Sequence, residues 1–443
     1  MPIYEFEEVP VQKEFQVPDY VKWQPDSQDM IQPVILDKTE KQLNMWGYGD
    51  GNYFAVKSSY AAEPAKASTE FKKLVKALHE NGMECVMEIF FPESTSHVFI
   101  MDVLHFWSKE YHVDGFHLIG SNLPIGSIVH DPLLSRTKIF TDTFNGEFDA
   151  RRKYKNLFIY KEEYQFPVRM LLNHYDTDIK EFANQQRKQD INYGYVNFLA
   201  SNNGFTLADV FAYSEKHNEA NREDNKDGSD YNLSYNFGVE GPSKKRFVND
   251  IRRKRMHLAF EMLMYGQGVP LIMAGDEFGN TQLGNNNAYC QDNEIGWVNW
   301  SLFNKYREDR EFIKSLIAFR KDHKVIVKAE PYRFTDYRSV GAPDYSYHGE
   351  NAWISQIDHG RKSLGVMYCG AYAKDEEDKT DIYIGYNLYA NEVRLALPIL
   401  PNKKWTLDGV VLEDQMYVTV VPHSVAVLMT KEVPQEKKTK KKK

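Results

Sequence analysis

The 443 residues hold 55 Lys and Arg against 63 Asp and Glu, for a net charge of −8, and are 42% hydrophobic and 27% charged. That is long enough for a large core and two or three domains, and ordinary in composition for a globular protein. Six of the positive charges sit in the Lys437–Lys443 end, so the remaining body is strongly acidic, which argues against nucleic acid as the main partner. Cys85, Cys290 and Cys369 are scattered and odd in number, a usage that suits a reducing compartment and offers no disulfide framework. There is no Cys-x-x-Cys pair, metal-ligand cluster or phosphate loop, so no metal and no cofactor is expected. The first eight residues, Met1 to Glu8, lack a basic region and an apolar core, and no run approaches 18 apolar residues. No membrane association and a cytoplasmic location are expected on that basis.

Residues 7 to 43 have the polar character of a surface loop. Phe71 to His79 follows as an amphipathic helix, with Phe71, Leu74, Val75 and Leu78 on one face and Asn81-Gly82 as its stop. A strand is expected at Cys85 to Phe91, a helix at Val98 to Trp107, and strands at Val113 to Ile119 and Leu157 to Tyr160. Val168 to Leu172 reads as a further strand, Ile179 to Phe182 as a helix, and Tyr195 to Ala200 as a strand. The polar stretch from Asn202 to Lys244 is too long for a mere connection and is expected to wall a cleft. The helix Phe247 to Tyr265 leads into the apolar run Val269 to Ala274, a buried strand followed at once by Gly275-Asp276-Glu277 and a loop rich in glycine and asparagine. From about Tyr332, short runs rich in β-branched and aromatic residues alternate with turns, the signature of an antiparallel sandwich. Residues 433–443 read as a disordered basic tail.

Two stretches carry a family resemblance. Gly266 to Trp300 is similar to the last barrel strand and following loop of the isoamylase-type glycogen debranching enzymes, members of the α-amylase family (glycoside hydrolase family 13). His217-Asn218-Glu219-Ala220-Asn221 through Gly238-Val239-Glu240-Gly241-Pro242 resembles the loop after the seventh strand of the same enzymes. The fold this implies is α/β: an incomplete (β/α)8 TIM barrel of about six recognisable strands over residues 1–330, then an antiparallel β-sandwich over 331–432. Met1-Pro2-Ile3-Tyr4-Glu5-Phe6 resembles the end of the family's second barrel strand. In that register the first strands are missing, and the open barrel edges call for a cover. Ile3 to Phe6, Pro33 to Leu36 or a protein partner are the candidates.

The resemblance also places the chemistry. Retaining cleavage of a glucosidic bond uses two carboxyl groups about 5 Å apart. The family sets a nucleophile, an acid and a transition-state-gripping Asp at the ends of its fourth, fifth and seventh strands. At the fourth, where the family reads Val-Asp-Gly-Phe-Arg-x-Asp, this chain reads Val113-Asp114-Gly115-Phe116-His117-Leu118-Ile119. Ile119 stands at the nucleophile position and His117, with no carboxylate beside it in the sequence, at the arginine position. An alkyl side chain has no lone pair with which to form a glycosyl ester. At the fifth, the match Leu157 to Lys161 puts Tyr160 at the acid position, and a slip of two or three residues would bring in Glu162 or Glu163. At the seventh, His-Asp is replaced by Asn202-Asn203, amides that can hydrogen-bond sugar hydroxyls but supply no charge. On the third, Glu88 alone keeps a carboxylate.

Trp46 and Tyr48, in Asn44-Met45-Trp46-Gly47-Tyr48-Gly49, match the loop that places an aromatic ring under the sugar in the family. With His117, Asn202 and Asn203 they form the expected substrate-binding set. Losing one member of a catalytic unit costs roughly 10⁴ to 10⁶ in rate. The expectation is therefore a catalytically degenerate homologue that binds α-glucan or regulates an active partner. An active debranching hydrolase using displaced carboxylates and a truncated product dependent on a partner are the alternatives.

Overall fold

A computed structural model describes residues 2–10, 43–144, 146, 155–358, 360–373 and 379–433. They divide into two units: Met1–Leu123 with Asn218–Lys226 and Ala288–Trp297, and Pro124–His217 with Asp227–Asn287 and Val298–Lys443. The Pro33 to Leu36 strand candidate and the lysine-rich end lie outside the described residues.

In the first unit the parallel strands Val86–Phe90 and Gly115–Ile119 are joined by the helix His97–Glu110. Parallel neighbours need a long crossover of this kind. The Ser96 side chain accepts the Phe99 N–H and starts the helix, and Ile100, Val103, Leu104 and Trp107 form its buried stripe. The preceding helix, Ala67–Glu80, buries Ala67, Phe71 and Val75, while Leu74 is 52% exposed. At 100° per residue, Leu74 falls at the margin of the stripe that Phe71, Val75 and Leu78 define. Gly82, with φ 67°, turns the chain after this helix.

Tyr4–Phe6 is a strand, as one expectation held. It does not join the parallel pair, however, but lies antiparallel to Gly51–Val56, with an irregularity in register between Tyr4 and Glu5. Lys57 holds it in place, donating to the Phe6 carbonyl at 2.7 Å and pairing with Glu8 at 3.3 Å. The Tyr53 ring, 4.7 Å from Tyr4 and 5.2 Å from Phe91, carries the packing inward.

In the second unit four strands run parallel in chain order: Lys138–Thr141, Leu157–Lys161, Gly194–Phe198 and Val269–Leu271. The described parallel strands thus number six across the two units, as expected, but not the expected six. Val168 to Leu172 is not a strand. It belongs to the helix Gln165–Leu172, whose residues are buried on nearly every side, so its apolar run lacks the polar face that betrays a helix. Pro167 sits in the first turn of this helix, where a missing N–H costs nothing. Lys138–Thr141 takes the vacated place.

The C-terminal part of this unit is an antiparallel sheet in the order Tyr345–His348, Ser363–Tyr368, Ile382–Asn387, Ser424–Glu432, Lys403–Leu407, Val410–Val411, together with the pair Val393–Ala396 and Tyr417–Val420. One hydrophobic core runs without interruption from the helices, through Tyr164, Phe182, Leu263 and Ile313, to the sheet residues Tyr345, Tyr368, Ile384 and Tyr386. Parallel α/β strands followed by antiparallel sheets make the expected fold class, a partial barrel with a sandwich after it.

Candidate functional site

In the first unit the ends of the two parallel strands meet the loop carrying Trp46 and Tyr48. Glu88 and His117 are directly opposed in register, so both side chains emerge on the same face of the pair. His117 Nδ1 lies 2.8 Å from Glu88 Oε2, and the Tyr48 hydroxyl donates to Glu88 Oε1 at 2.7 Å. This corrects the expectation for His117: its carboxylate comes from the neighbouring strand, 29 residues away. An ionised carboxylate only accepts, so Nδ1 carries the proton of that bond. Burial pushes the Glu88 carboxyl up, but the His117 hydrogen bond, nearby positive charge and the Tyr48 hydrogen bond together outweigh it and bring it down to about 2. Glu88 is therefore an anion at neutral pH and no proton donor.

Tyr48, Trp46 and Tyr289 make a run of half-buried rings: Trp46 is 5.9 Å from Tyr48 and 6.5 Å from Tyr289, both edge to face. Backbone fixes the arrangement, since the Met45 N–H donates to the Tyr289 carbonyl at 2.9 Å. The Tyr289 hydroxyl donates to Glu223. Each outer ring is thus held by a carboxylate at its hydroxyl end, and the Tyr48 ring also packs edge to face with Phe90 at 6.3 Å. Gly47, between Trp46 and Tyr48, has φ 67°, and a Cβ there would collide with the Phe6 ring. Ile119 closes its strand with its carbonyl accepting the Phe91 N–H at 2.9 Å, and it brings no polar side-chain atom to this face.

In the second unit Tyr160 precedes the strand end at Lys161, its ring 5.8 Å from Phe198 and 6.3 Å from Phe140. The first parallel strand after Ile119 in chain order is Lys138–Thr141, not Tyr160's, so strand counting moves the following strand end to Thr141 and the exposed Asp142. Glu162 and Glu163 are exposed on a 3-10 turn, with Glu162 accepting from Gln165 at 3.5 Å. Asn202 is half-buried and Asn203 exposed, in the bend after Gly194–Phe198.

The conspicuous carboxylates of this unit serve the fold. Asp276, from the Gly275-Asp276-Glu277 run, is fully enclosed and accepts the Leu207 N–H at 3.0 Å. Burial, opposed by that bond and aided by the Asp209 charge, raises it to about 8. Asp209 accepts the Thr281 hydroxyl and the Gln282 N–H, and burial lifts it to about 6. These contacts clip the loops after two strands together. The polar stretch from 202 to 244 is likewise braced, by Glu240 accepting the Ser214 N–H at 3.0 Å and by Arg252 donating to the Gly241 carbonyl at 2.7 Å.

Sequence reasoning therefore missed the Glu88–His117 bond, Asp142, and the Tyr289–Glu223 pair. Parallel-strand register would have found the first. Among the described residues no helix is long and apolar enough to cross a membrane, and no group of three or more His, Cys, Asp and Glu stands ready to hold a metal.

No family model matches the chain. It is similar to the "Glycogen operon protein GlgX homolog" of Mycobacterium tuberculosis, 30% identical over 370 residues, covering 66% of this chain and 51% of that protein. The homolog of the same name in Haemophilus influenzae is 30% identical over 355 residues, 63% of this chain and 53% of its own. The "Glycogen debranching enzyme" of Enterobacter sp. is 28% identical over 328 residues, 59% and 50% respectively. The chain thus spans about half the length of the curated relatives it matches.

Among solved structures, a pullulanase from Bacillus acidopullulyticus superposes with a TM-score of 0.61 at 16% identity, covering 88% of this chain and 52% of that one. A pullulanase from Paenibacillus barengoltzii, in complex with maltohexaose and α-cyclodextrin, gives 0.64 at 16% identity, covering 98% and 68%. At such identities the likeness establishes the fold alone. With the sequence likeness beside it, the chain is a relative of the glycogen debranching enzymes and carries the fold of the pullulanases.

Proposed function

We propose that this protein is a catalytically degenerate member of its family that binds α-glucan without hydrolysing it. The observation that carries this reading is Ile119, an alkyl side chain ending the strand on which the family keeps its nucleophile. The carboxylate that remains beside it, Glu88, is engaged on both oxygens by Tyr48 and His117. A retaining mechanism requires a nucleophile and a proton-donating acid facing each other, and a carboxyl held at about 2 is not that acid.

What favours glucan as the ligand is the row Tyr48, Trp46, Tyr289. Sugars present an apolar C–H face to aromatic rings and hydroxyls to carboxylates and amides, and a pullulanase of the same fold holds maltohexaose. His117, Asn202 and Asn203 are assigned to the same binding role. We assign the chain to the cytoplasm, and divide it into a barrel domain to residue 330 and a sandwich domain from 331 to 432.

Two assays test the proposal. Incubating the purified chain with glycogen or amylopectin should release no reducing ends above buffer. In affinity electrophoresis on glycogen gels the chain should be retarded, and Tyr48→Ala should lose most of that retardation. A wild-type chain that runs unretarded sinks the binding role.

One observation favours a second reading, hydrolysis through displaced carboxylates: Asp142, Glu162 and Glu163 are all exposed just past the ends of parallel strands. Turnover of amylopectin that Asp142→Asn or Glu162→Gln abolishes would establish it and remove the first.

A further inference from the structure

Far along the chain from the sugar-facing residues, Arg255 lies in the helix Arg246–Met264 with 3% of its surface exposed. Buried cations are ordinarily paired with an anion, because taking a charge out of water is costly. Arg255 is paired instead with an imidazole: its Nη2 lies 3.3 Å from His174 Nε2. Arginine only donates, so that nitrogen of His174 is the acceptor and the ring is neutral. The second guanidinium nitrogen, Nη1, is buried with no hydrogen-bond partner, and so is His423 Nδ1. Two unsatisfied polar atoms in one place call for an explanation.

The surroundings supply it. The His174 and His423 rings are 6.1 Å apart and nearly perpendicular. Besides burial, Arg255 and Lys362 hold His174 below the ordinary imidazole range, while Arg255, His174 and Lys254 help bring His423 down to about 4. The charged side chains acting on the two imidazoles are therefore cations, Arg255 and Lys254 from the helix and Lys362 from a turn before a sandwich strand. Tyr235 and Phe237, 6.0 and 5.8 Å from His174, wall the cluster with aromatic edges. Both histidines have positive φ, 65° and 51°, a conformation uncommon for a non-glycine residue.

We propose that the Arg255–His174–His423 cluster is a binding site for a phosphate group, which accepts from Arg255 Nη1 and, with His423 protonated on binding, from His423 Nδ1, and supplies the missing negative charge. Guanidinium and imidazolium donors make charge-assisted bonds to an oxyanion. His174 and Tyr235 beside them are exposed, so the ligand class takes in phosphate that is free or carried on a sugar. The site is independent of the glucan reading.

The test is calorimetric titration of the full chain with inorganic phosphate and with glucose 1-phosphate, at constant ionic strength in chloride, with glucose as control. Saturable binding of phosphate, weakened about tenfold in His423→Gln and two- to threefold in Lys362→Gln, is the expected result. These partly exposed positions keep the test valid should Arg255→Leu fail to fold. Equal affinity for both phosphates identifies the free ion as the ligand, and tighter binding of glucose 1-phosphate with no heat from glucose identifies a phosphosugar. No heat from either phosphate, or unchanged affinity in both variants, overturns the proposal.

Discussion

Glu88 and His117 face each other across adjacent parallel strands, joined by a 2.8 Å hydrogen bond. Glu88 is held at about 2, below the ordinary range near 4.3. Below its native value both the folded and the unfolded chain are protonated there, so the stabilisation from the ionised carboxylate and its surroundings exists in full above about pH 4.5 and fades as pH falls toward 2. On the order of 2–3 kcal/mol should disappear across that window. Urea unfolding at pH 7, 5 and 3 should show Glu88→Gln destabilised at pH 7 and converging with the wild type at pH 3. Parallel curves at all three values would refute the account.

Tyr48 has two separable functions, a ring face and a hydroxyl bonded to Glu88. Tyr48→Phe keeps the first and loses the second. It should retain most of the wild type's retardation on glycogen gels while losing about 1 kcal/mol of stability. Tyr48→Ala should lose both. A Phe variant that binds as poorly as the Ala variant would show that stacking is not what the ring provides.

Gly47 holds the Trp46–Tyr48 loop close against Phe6, in a left-handed conformation with no space for a methyl. Gly47→Ala should cost about 2 kcal/mol, from backbone strain and the displaced ring together. Near-ultraviolet circular dichroism should register the shift of neighbouring aromatics. An unchanged spectrum and unchanged unfolding midpoint would contradict the packing described.

Lys161 is enclosed at the end of its strand, donating to the Gln185 carbonyl at 2.7 Å, and burial with the nearby Lys188 charge lowers it to about 7. Between pH 7 and about 10.4 the unfolded chain holds a proton that the folded chain releases. Stability therefore rises with pH across this interval. Lys161→Met, which cannot titrate, should compare best with the wild type at pH 6.5 and progressively worse by pH 9.5. A stability difference independent of pH would place the ammonium in solvent.

What could be read from the sequence follows from the range of each interaction. The helix Arg246–Met264 and the strand after it announce themselves by period and by the glycine-rich loop that follows. Lys138–Thr141 has four residues, only two of them buried, and no turn signal of its own, so nothing local separates it from a loop. Val168 to Leu172 misleads for the opposite reason: a helix enclosed on nearly every side has little periodicity to show. His117 looks isolated until parallel register sets it opposite Glu88, a fact of pairing that spacing along the chain does not contain. The buried Asp209 and Asp276 lie in recognisable motifs, yet only three-dimensional placement reveals that they fasten loops.

The tyrosines of the sandwich reach into the helical layer: Tyr368 donates to the Tyr265 carbonyl at 2.7 Å, Tyr347 to the Ala183 carbonyl at 2.7 Å, and Tyr386 meets Gln186. Within the second unit, residues on either side of position 330 should therefore melt together, in one calorimetric transition where two beads on a string would give two. A protease nick near 330 should leave the halves associated, and a polypeptide ending there should precipitate, its helices bared where the hydroxyls once docked.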